Sequence, residues 1–369
     1  MAGIYIHIPF CKKACHYCDF HFSTNLARKE AMLEAIKTEL EEREDELSKK
    51  EITSIYFGGG TPSLLTEAEL FDLLNHIKNG YKLHQDIEIT LEANPDDLTK
   101  QRLIELRTSP INRLSIGVQS LSDNLLTWMN RAHNADTAHA AIDNALELGF
   151  SNISVDMIYG IPNQNNEQFQ NDLEQIMSKA VNHISCYALT VEPNTALSNN
   201  ILKGKTQQPS EDTMIDHFEL LTNIAAQQGF EHYEISNFAR HKCYSRHNTS
   251  YWEGKPYIGI GPSAHSFNGS QRRWNVANNA QYIDKINKEE TYYTTEELTA
   301  PNQLNELIMT RLRTMWGLQR SILEKAETSF AFLIDHYIAE KKLEQIGNNI
   351  RLTNEGKLVS DKIISDFFV

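Results

Sequence analysis

Short apolar segments alternate with long amphipathic ones in a regular rhythm over the first 230 residues. The segments "GIYIHI", "SIYFGGG", "IEITLEA", "RLSIGVQS", "NISVDMIYG" and "HISCYALTVE" read as strands, each bounded by turn residues. Between them lie helical patterns such as "RKEAMLEAIKTELEEREDEL", "TEAELFDLLNHIKN", "TAHAAIDNALELG" and "NEQFQNDLEQIMSKA", and "QPSEDTMIDHFELLTNIAAQQGF" supplies the sixth. A helix after every strand predicts parallel βα units whose right-handed crossovers curl the sheet. Six units are too few for a complete eight-fold barrel, so the expected architecture is α/β, a partial (βα)6 TIM-like barrel over 1–235.

The rhythm then breaks. "ISNFARHKCYSRHNTSYWEGKPYIGIGPSAHSFNG" is rich in Gly, His, Asn and aromatic residues without a sustained period. It predicts a connecting segment, 236–300, of loops and short strands lying over the larger body. Helical periodicity resumes near Asn302, and "KLEQIGNNIRLTNEGKLVSDKIISDF" reads as a hairpin turning at "GNN" and followed by a helix. The expectation for 301–369 is a small α+β, winged-helix-like C-terminal domain.

Composition changes this picture little: 40% hydrophobic and 23% charged residues over 369 positions is ordinary for a water-soluble chain. No run approaches the roughly 18 apolar residues of a membrane span. The start "MAGIYIHIPF" has neither a basic region nor a long apolar core, so the protein is expected in the cytoplasm. The net charge of −14 argues against nucleic acid as a partner, since phosphate binding needs clustered Lys and Arg. It also favours reading the winged-helix-like unit as a packing module.

Five cysteines is an odd count, and Cys11, Cys15 and Cys18 stand together in "IPFCKKACHYCDFHF". In a cytosolic chain this reads as metal binding and not as a disulfide framework. A structural zinc site takes four closed ligands, and no second Cys pair is visible; His16 or His21 could complete one. Iron–sulfur clusters also normally take four thiolates, so three would leave one iron open to an outside ligand.

Other residues fit a ligand cavity. "FGGGTP" (Gly58 to Pro62) ends the second strand, where glycines let backbone approach a ligand and present N–H groups to it. Glu92, Gln119 and Asp156 fall at the C-terminal ends of successive strands, the active-site end of a parallel barrel. Each alone could be a capping or turn residue. A carboxylate such as Glu92 or Asp156 can accept from ribose hydroxyls, and Arg131 reads as an anion contact.

The spacing Cys-x3-Cys-x2-Cys, with Tyr17 before the last cysteine, resembles the signature of radical S-adenosylmethionine (SAM) proteins. "YIHIPFCKKACHYCDF", "YFGGGTPSLL", "EANPD", "RLSIGVQSL", "NRAHN", "VDMIYGIP" and "HNTSYW" together resemble one branch of that superfamily. It holds oxygen-independent coproporphyrinogen III oxidase and the HemW-like heme chaperones. The resemblance implies a [4Fe-4S] cluster on Cys11, Cys15 and Cys18, with SAM chelating the open iron. It further implies that Tyr5, Tyr17, Gly59 and Glu92 contact this SAM. Gly60, Thr61, Gln119, Arg131, Asp156 and Ala188 would line a second SAM position described for the oxidase.

Two departures separate the branches. The oxidase has a fourth cysteine two residues after the third, where this chain has Phe20, and a longer segment before the motif. HemW-like proteins share the short start, the "CDF" ending and a His-Asn-x-x-Tyr-Trp motif, here His247, Asn248, Tyr251 and Trp252. The resemblance therefore implies heme as cofactor or cargo, transferred to an acceptor protein without decarboxylase activity. Any peripheral membrane contact is expected through that acceptor. His247 is then a candidate axial ligand, with Tyr251 and Trp252 as an apolar wall; without the resemblance it reads as a histidine satisfying hydrogen bonds in a loop. His241, Cys243 and His265 are rival ligands, and Cys186 reads as core. The competing readings are a SAM-dependent oxidative decarboxylase of coproporphyrinogen III and a zinc-stabilised interaction protein.

Overall fold

Six parallel strands, β1 (Ala2–Ile8), β2 (Ile52–Gly59), β3 (Leu83–Ala93), β4 (Arg113–Gln119), β5 (Ile153–Tyr159) and β6 (His183–Ala188), lie side by side in sequence order. The computed structural model describes residues 1–47 and 49–369. The partial α/β barrel expected from the alternating pattern is the architecture found.

Side chains alternate along each strand, and the two faces differ sharply. Ile4, Ile6, Ile55, Phe57, Ile89, Leu91, Leu114, Ile116, Val155, Met157, Ile184 and Cys186 belong to one continuous apolar core beneath the outer helices. Each large aliphatic side chain buried there contributes about 1.5–3 kcal/mol. The other face carries Tyr5, His7, Ser54, Tyr56, Glu88, Glu92, Arg113, Ser115, Asp156, His183 and Ser185. In a complete barrel the inward positions are a packed apolar layer. Here they are polar, so the lumen is built as a site.

The outer helices begin where short polar side chains satisfy free backbone donors. Thr66 opens Glu67–Gly80 with a reciprocal capping box to Glu69, and Thr99, Asn134, Asn165 and Ser210 cap later helices.

The segment 236–300 is not confined to loops over the body; it extends the same sheet. β9 (Tyr257–Ile260) pairs in parallel with β1, and β10 (His265–Phe267), β11 (Gln271–Asn275) and β12 (Tyr293–Glu297) follow antiparallel. On the opposite edge, β7 (Glu231–Glu234) and β8 (Asn237–Ala239) add beyond β6. The short pairings and the turns between them hide these strands from a periodicity reading. Buried Glu39 ties this extension to the body, accepting from Arg43, Gly261 N–H, Asn275 and Tyr282.

The C-terminal residues run helix, strand, helix, helix, strand, strand and then two short helices, Asn354–Leu358 and Ser360–Ser365, where the sequence predicts one helix after the hairpin. Helices Ala300–Leu312, Arg320–Ala326 and Ser329–Ala339 pack on a sheet ordered β13 (Leu318–Gln319), β15 (Asn349–Leu352), β14 (Leu343–Ile346). They bury their own core of Ile308, Leu312, Leu323, Phe330, Ile334 and Phe367. No helix among the described residues is long and apolar enough to cross a membrane.

Candidate functional site

At the C-terminal ends of the strands the lumen opens into a cavity of about 550 Å³. Its size falls within the roughly 300–1,000 Å³ of small-molecule sites. Cys11, Cys15, Cys18, Tyr17, Gly59, Gly60, Thr61, Glu92, Gln119, Arg131, Asp156 and Ala188 all line it. Tyr5 lies one layer behind, its hydroxyl donating to His7 Nδ1 at 3.1 Å. Only His247 is placed elsewhere.

The three cysteines sit on the loop after β1, and polar side chains from later loops reach their sulfurs. Thr61 Oγ1 donates to Cys11 Sγ at 3.4 Å, and Arg131 Nη1 donates to Cys15 Sγ at 3.4 Å. Asn94 joins the two, donating to Thr61 Oγ1 at 3.3 Å and accepting from Arg131 Nη2 at 2.7 Å. Burial pushes the Cys11 thiol up to about 11 and the Cys18 thiol up to about 12. Loading a metal here must therefore displace protons. No group of three or more His, Cys, Asp or Glu among the described residues is placed to hold a single metal ion. Three thiols spread around a cavity suit the corners of a polynuclear cluster better than a mononuclear cage. His16 Nδ1 donates to the Trp128 carbonyl at 2.7 Å and His21 Nε2 pairs with Asn279 at 2.7 Å; neither histidine lines the cavity.

The Gly-rich turn works differently from its sequence reading. Its amides are not free for a ligand: Gly59 N–H donates to Glu92 Oε2 at 3.2 Å, Gly60 N–H to Ile8 O at 2.9 Å and Thr61 N–H to Phe10 O at 2.7 Å. The glycines serve close approach. A Cβ on Gly60 would lie 2.6 Å from Phe10 O, and Gly59 takes φ +103° with His7 against it. The turn thus clamps the cysteine loop onto β2.

Glu92 accepts from the Tyr56 hydroxyl at 2.7 Å, and burial raises its pKa to about 7. Asp156 accepts from Ser115 and Ser154; burial raises its pKa too. Arg113, 1% exposed with an unpaired Nε, sits in the same lumen, and its charge favours ionisation of both carboxylates. Gln119 is turned into the cavity by a bulge at the end of β4, where it adopts φ 70°. Gly117 leaves room for it, since a Cβ there would lie 2.9 Å from Gln119 Nε2.

His247 does not present itself as a heme ligand. It is 1% exposed, with Nδ1 bonded to Ser54 at 2.9 Å and Nε2 to the Tyr251 hydroxyl at 2.7 Å. Its helix, Arg246–Trp252, plugs the N-terminal end of the barrel, and Glu88 caps that helix through the His247 and Arg246 amides. Burial lowers the His247 pKa to about 3, so the imidazole is neutral. The reading of a histidine that satisfies hydrogen bonds holds, except that the motif is helical and not a loop. The rival ligands lie outside the cavity: His241 is exposed in a left-handed turn beside Cys243, and His265 stacks on Trp274. Cys186 is core.

Asn94 and Tyr56 also line the cavity without a chemical signal of their own in the sequence, and Asn248 of the His-Asn-x-x-Tyr-Trp motif reaches it too. Asn94 follows Glu92 by two residues in "EANPD" and Tyr56 precedes the glycines by two, so strand alternation was the available signal.

The sequence profile of the radical SAM superfamily matches residues 5–176. The chain is 34% identical to the heme chaperone HemW of Bacillus subtilis, covering 100% of this chain and 99% of that protein. It is 31% identical to the heme chaperone HemW of Lactococcus lactis, covering 99% and 97%. The structure is similar to that of coproporphyrinogen III oxidase (HemN) from Escherichia coli, a radical SAM enzyme. The TM-score is 0.85 at 22% identity, over 100% of this chain and 90% of that one. That last likeness is one of fold.

Proposed function

The chain belongs to the HemW family within the radical SAM superfamily, and from that premise we propose that it binds heme and passes it to an acceptor protein. In the same reading a [4Fe-4S] cluster rests on Cys11, Cys15 and Cys18, with SAM beside it. The observation that carries the cofactor part is the convergence of three thiols with Glu92, Arg131 and the Gly59–Gly60 turn on one cavity. When bound, such a cluster leaves one iron open to the amino and carboxylate groups of SAM and supplies an electron to it.

This chain's residues hold and orient. Thr61 donates to Cys11 Sγ and Arg131 to Cys15 Sγ, which fixes both sulfurs at the cavity wall. Glu92 offers acceptor oxygens to hydroxyls of a nucleoside, and Tyr56 and Gly59 N–H fix its orientation.

Heme is assigned to the mouth. The interior of the cavity is lined by the three cysteines and by polar side chains such as Glu92, Asp156 and Arg131, which suit a cluster and SAM better than an apolar macrocycle. At the rim Phe20 is 66% exposed and Tyr187 45%, with Phe22 and Lys13 lining the same opening. Flat aromatic surface with a nearby cation suits a porphyrin plane and its propionates.

The test is an anaerobic hemin titration of cluster-loaded protein followed at the Soret band, with iron and sulfide measured on the same sample. Saturation near one heme per chain is expected. Absence of saturable binding sinks the chaperone reading. Anaerobic turnover of coproporphyrinogen III to a vinyl-bearing product would replace it with the decarboxylase.

A further inference from the structure

A second cavity, of about 200 Å³, lies at the seam between β7 and the C-terminal domain, far along the sheet from the cysteines. His232, on β7, forms one wall; Met315, Glu344, Arg351, Asn354 and Lys357, from the C-terminal part, form the others. Its electrostatics are unusual. Lys357 Nζ donates to His232 Nδ1 at 3.0 Å, and His232 Nε2 donates to Ile235 O at 3.0 Å, which identifies His232 as the neutral tautomer. A ring stack on Phe238, centroids 4.1 Å apart, holds that imidazole in place.

Lys357 is therefore a half-buried cation whose hydrogen-bond partner carries no charge, and it forms no ion pair among the described residues. A second cation faces it. Arg351 uses Nε on Glu344 at 2.8 Å and Nη1 on the Met315 carbonyl at 3.0 Å, and its Nη2 has no hydrogen-bond partner among the described residues. Burial and then Arg351 push Lys357 down to about 8, while Glu234 and Glu344 oppose the shift. A half-open polar cleft with an ammonium that has no carboxylate partner among the described residues, a guanidinium facing it and the Asn354 carboxamide matches a single small acceptor-rich anion.

We propose that this seam binds a small oxyanion, carboxylate or phosphate, between Lys357 Nζ and Arg351 Nη2. Bound there, the anion lies between two cations of the C-terminal domain, beside the His232 wall, and stabilises the native state by mass action. The protonated amine is required, so affinity falls as pH rises through about 8.

The experiment uses the full chain and two probes, inorganic phosphate and acetate, with ionic strength held constant by sodium chloride. Calorimetry and thermal unfolding are read for wild type and for Lys357→Met. Wild type is expected to bind one probe per chain saturably, with a rise in Tm, and Lys357→Met to bind at least about tenfold more weakly. Without probe, Lys357→Met is expected to stay folded with a small loss of stability, because His232 Nδ1 loses its donor while a partly desolvated charge is removed. Preference for phosphate marks a phosphorylated ligand and preference for acetate a carboxylate. Equal responses to the probes and to chloride, or unchanged affinity in a folded Lys357→Met, overturn the proposal.

Discussion

The ring of His247 lies on the ring of Tyr56, centroids 5.1 Å apart and planes inclined by 27°, and the Tyr56 hydroxyl donates to Glu92 at 2.7 Å. The helix that plugs the bottom of the barrel is thus packed against the residue that orients a carboxylate at the top. Gly3 makes this possible: a Cβ there would lie 3.2 Å from the imidazole.

His247→Ala is expected to lower stability by about 3 kcal/mol, because it opens a cavity and leaves Ser54 and Tyr251 unpaired. Urea unfolding measures this. His247→Gln, which keeps a polar side chain, is expected to lose less and to retain hemin saturation at wild-type stoichiometry. Loss of the Soret band in a folded His247→Gln protein would show that the imidazole leaves its pocket to ligate iron.

Gly60→Ala places a methyl 2.6 Å from Phe10 O and 2.8 Å from Ile8 O, both backbone atoms that hold the cysteine loop. The loop must move, while the apolar core on the other strand face is untouched. Circular dichroism is expected to stay near wild type as reconstituted iron and sulfide fall to less than about half.

Glu92 gives the apo protein a distinct pH signature. Its native pKa of about 7 stands above the ordinary value of 4.5, mainly through burial. Between those values the native state keeps a proton on Glu92 that the unfolded chain has released, so the contribution of Glu92 to stability falls as pH rises through the window and levels off above it. The full effect is at most about 3 kcal/mol. Buried neutral histidines contribute with the opposite sign, so the test is the difference between wild type and Glu92→Gln in denaturant midpoints from pH 4.5 to 7, which should shift against wild type as pH rises.

Removing iron with a chelator should leave the barrel folded. The three thiols come from one loop at the mouth, and the core beneath the helices contains none of them. The expected change in Tm is small compared with the collapse seen when metal supplies the folding energy outright. Unfolding on chelation would contradict this.

Phe20→Ala is expected to weaken hemin binding several-fold without changing iron or sulfide content, since this ring is 66% exposed at the rim. An unchanged titration would move the heme away from the mouth.

The sequence by itself determined the parallel α/β barrel, because apolar segments separated by capped amphipathic helices admit few other arrangements. It also determined the cysteine loop and part of the cavity wall: Glu92, Gln119 and Asp156 fall at strand ends, and local spacing is enough to place them there. Only the tertiary structure decided what depends on partners distant in the chain. The amides of the Gly-rich turn are taken by Ile8, Phe10 and Glu92, a matter of inter-strand register. His247 is internal because Ser54, Glu88 and Tyr56 from two other strands surround it. The segment 236–300 joins the sheet through pairings of three to five residues, too short to announce a period. Local chemistry is written in neighbouring residues; whether a polar atom is free or already satisfied depends on which distant segment folds against it.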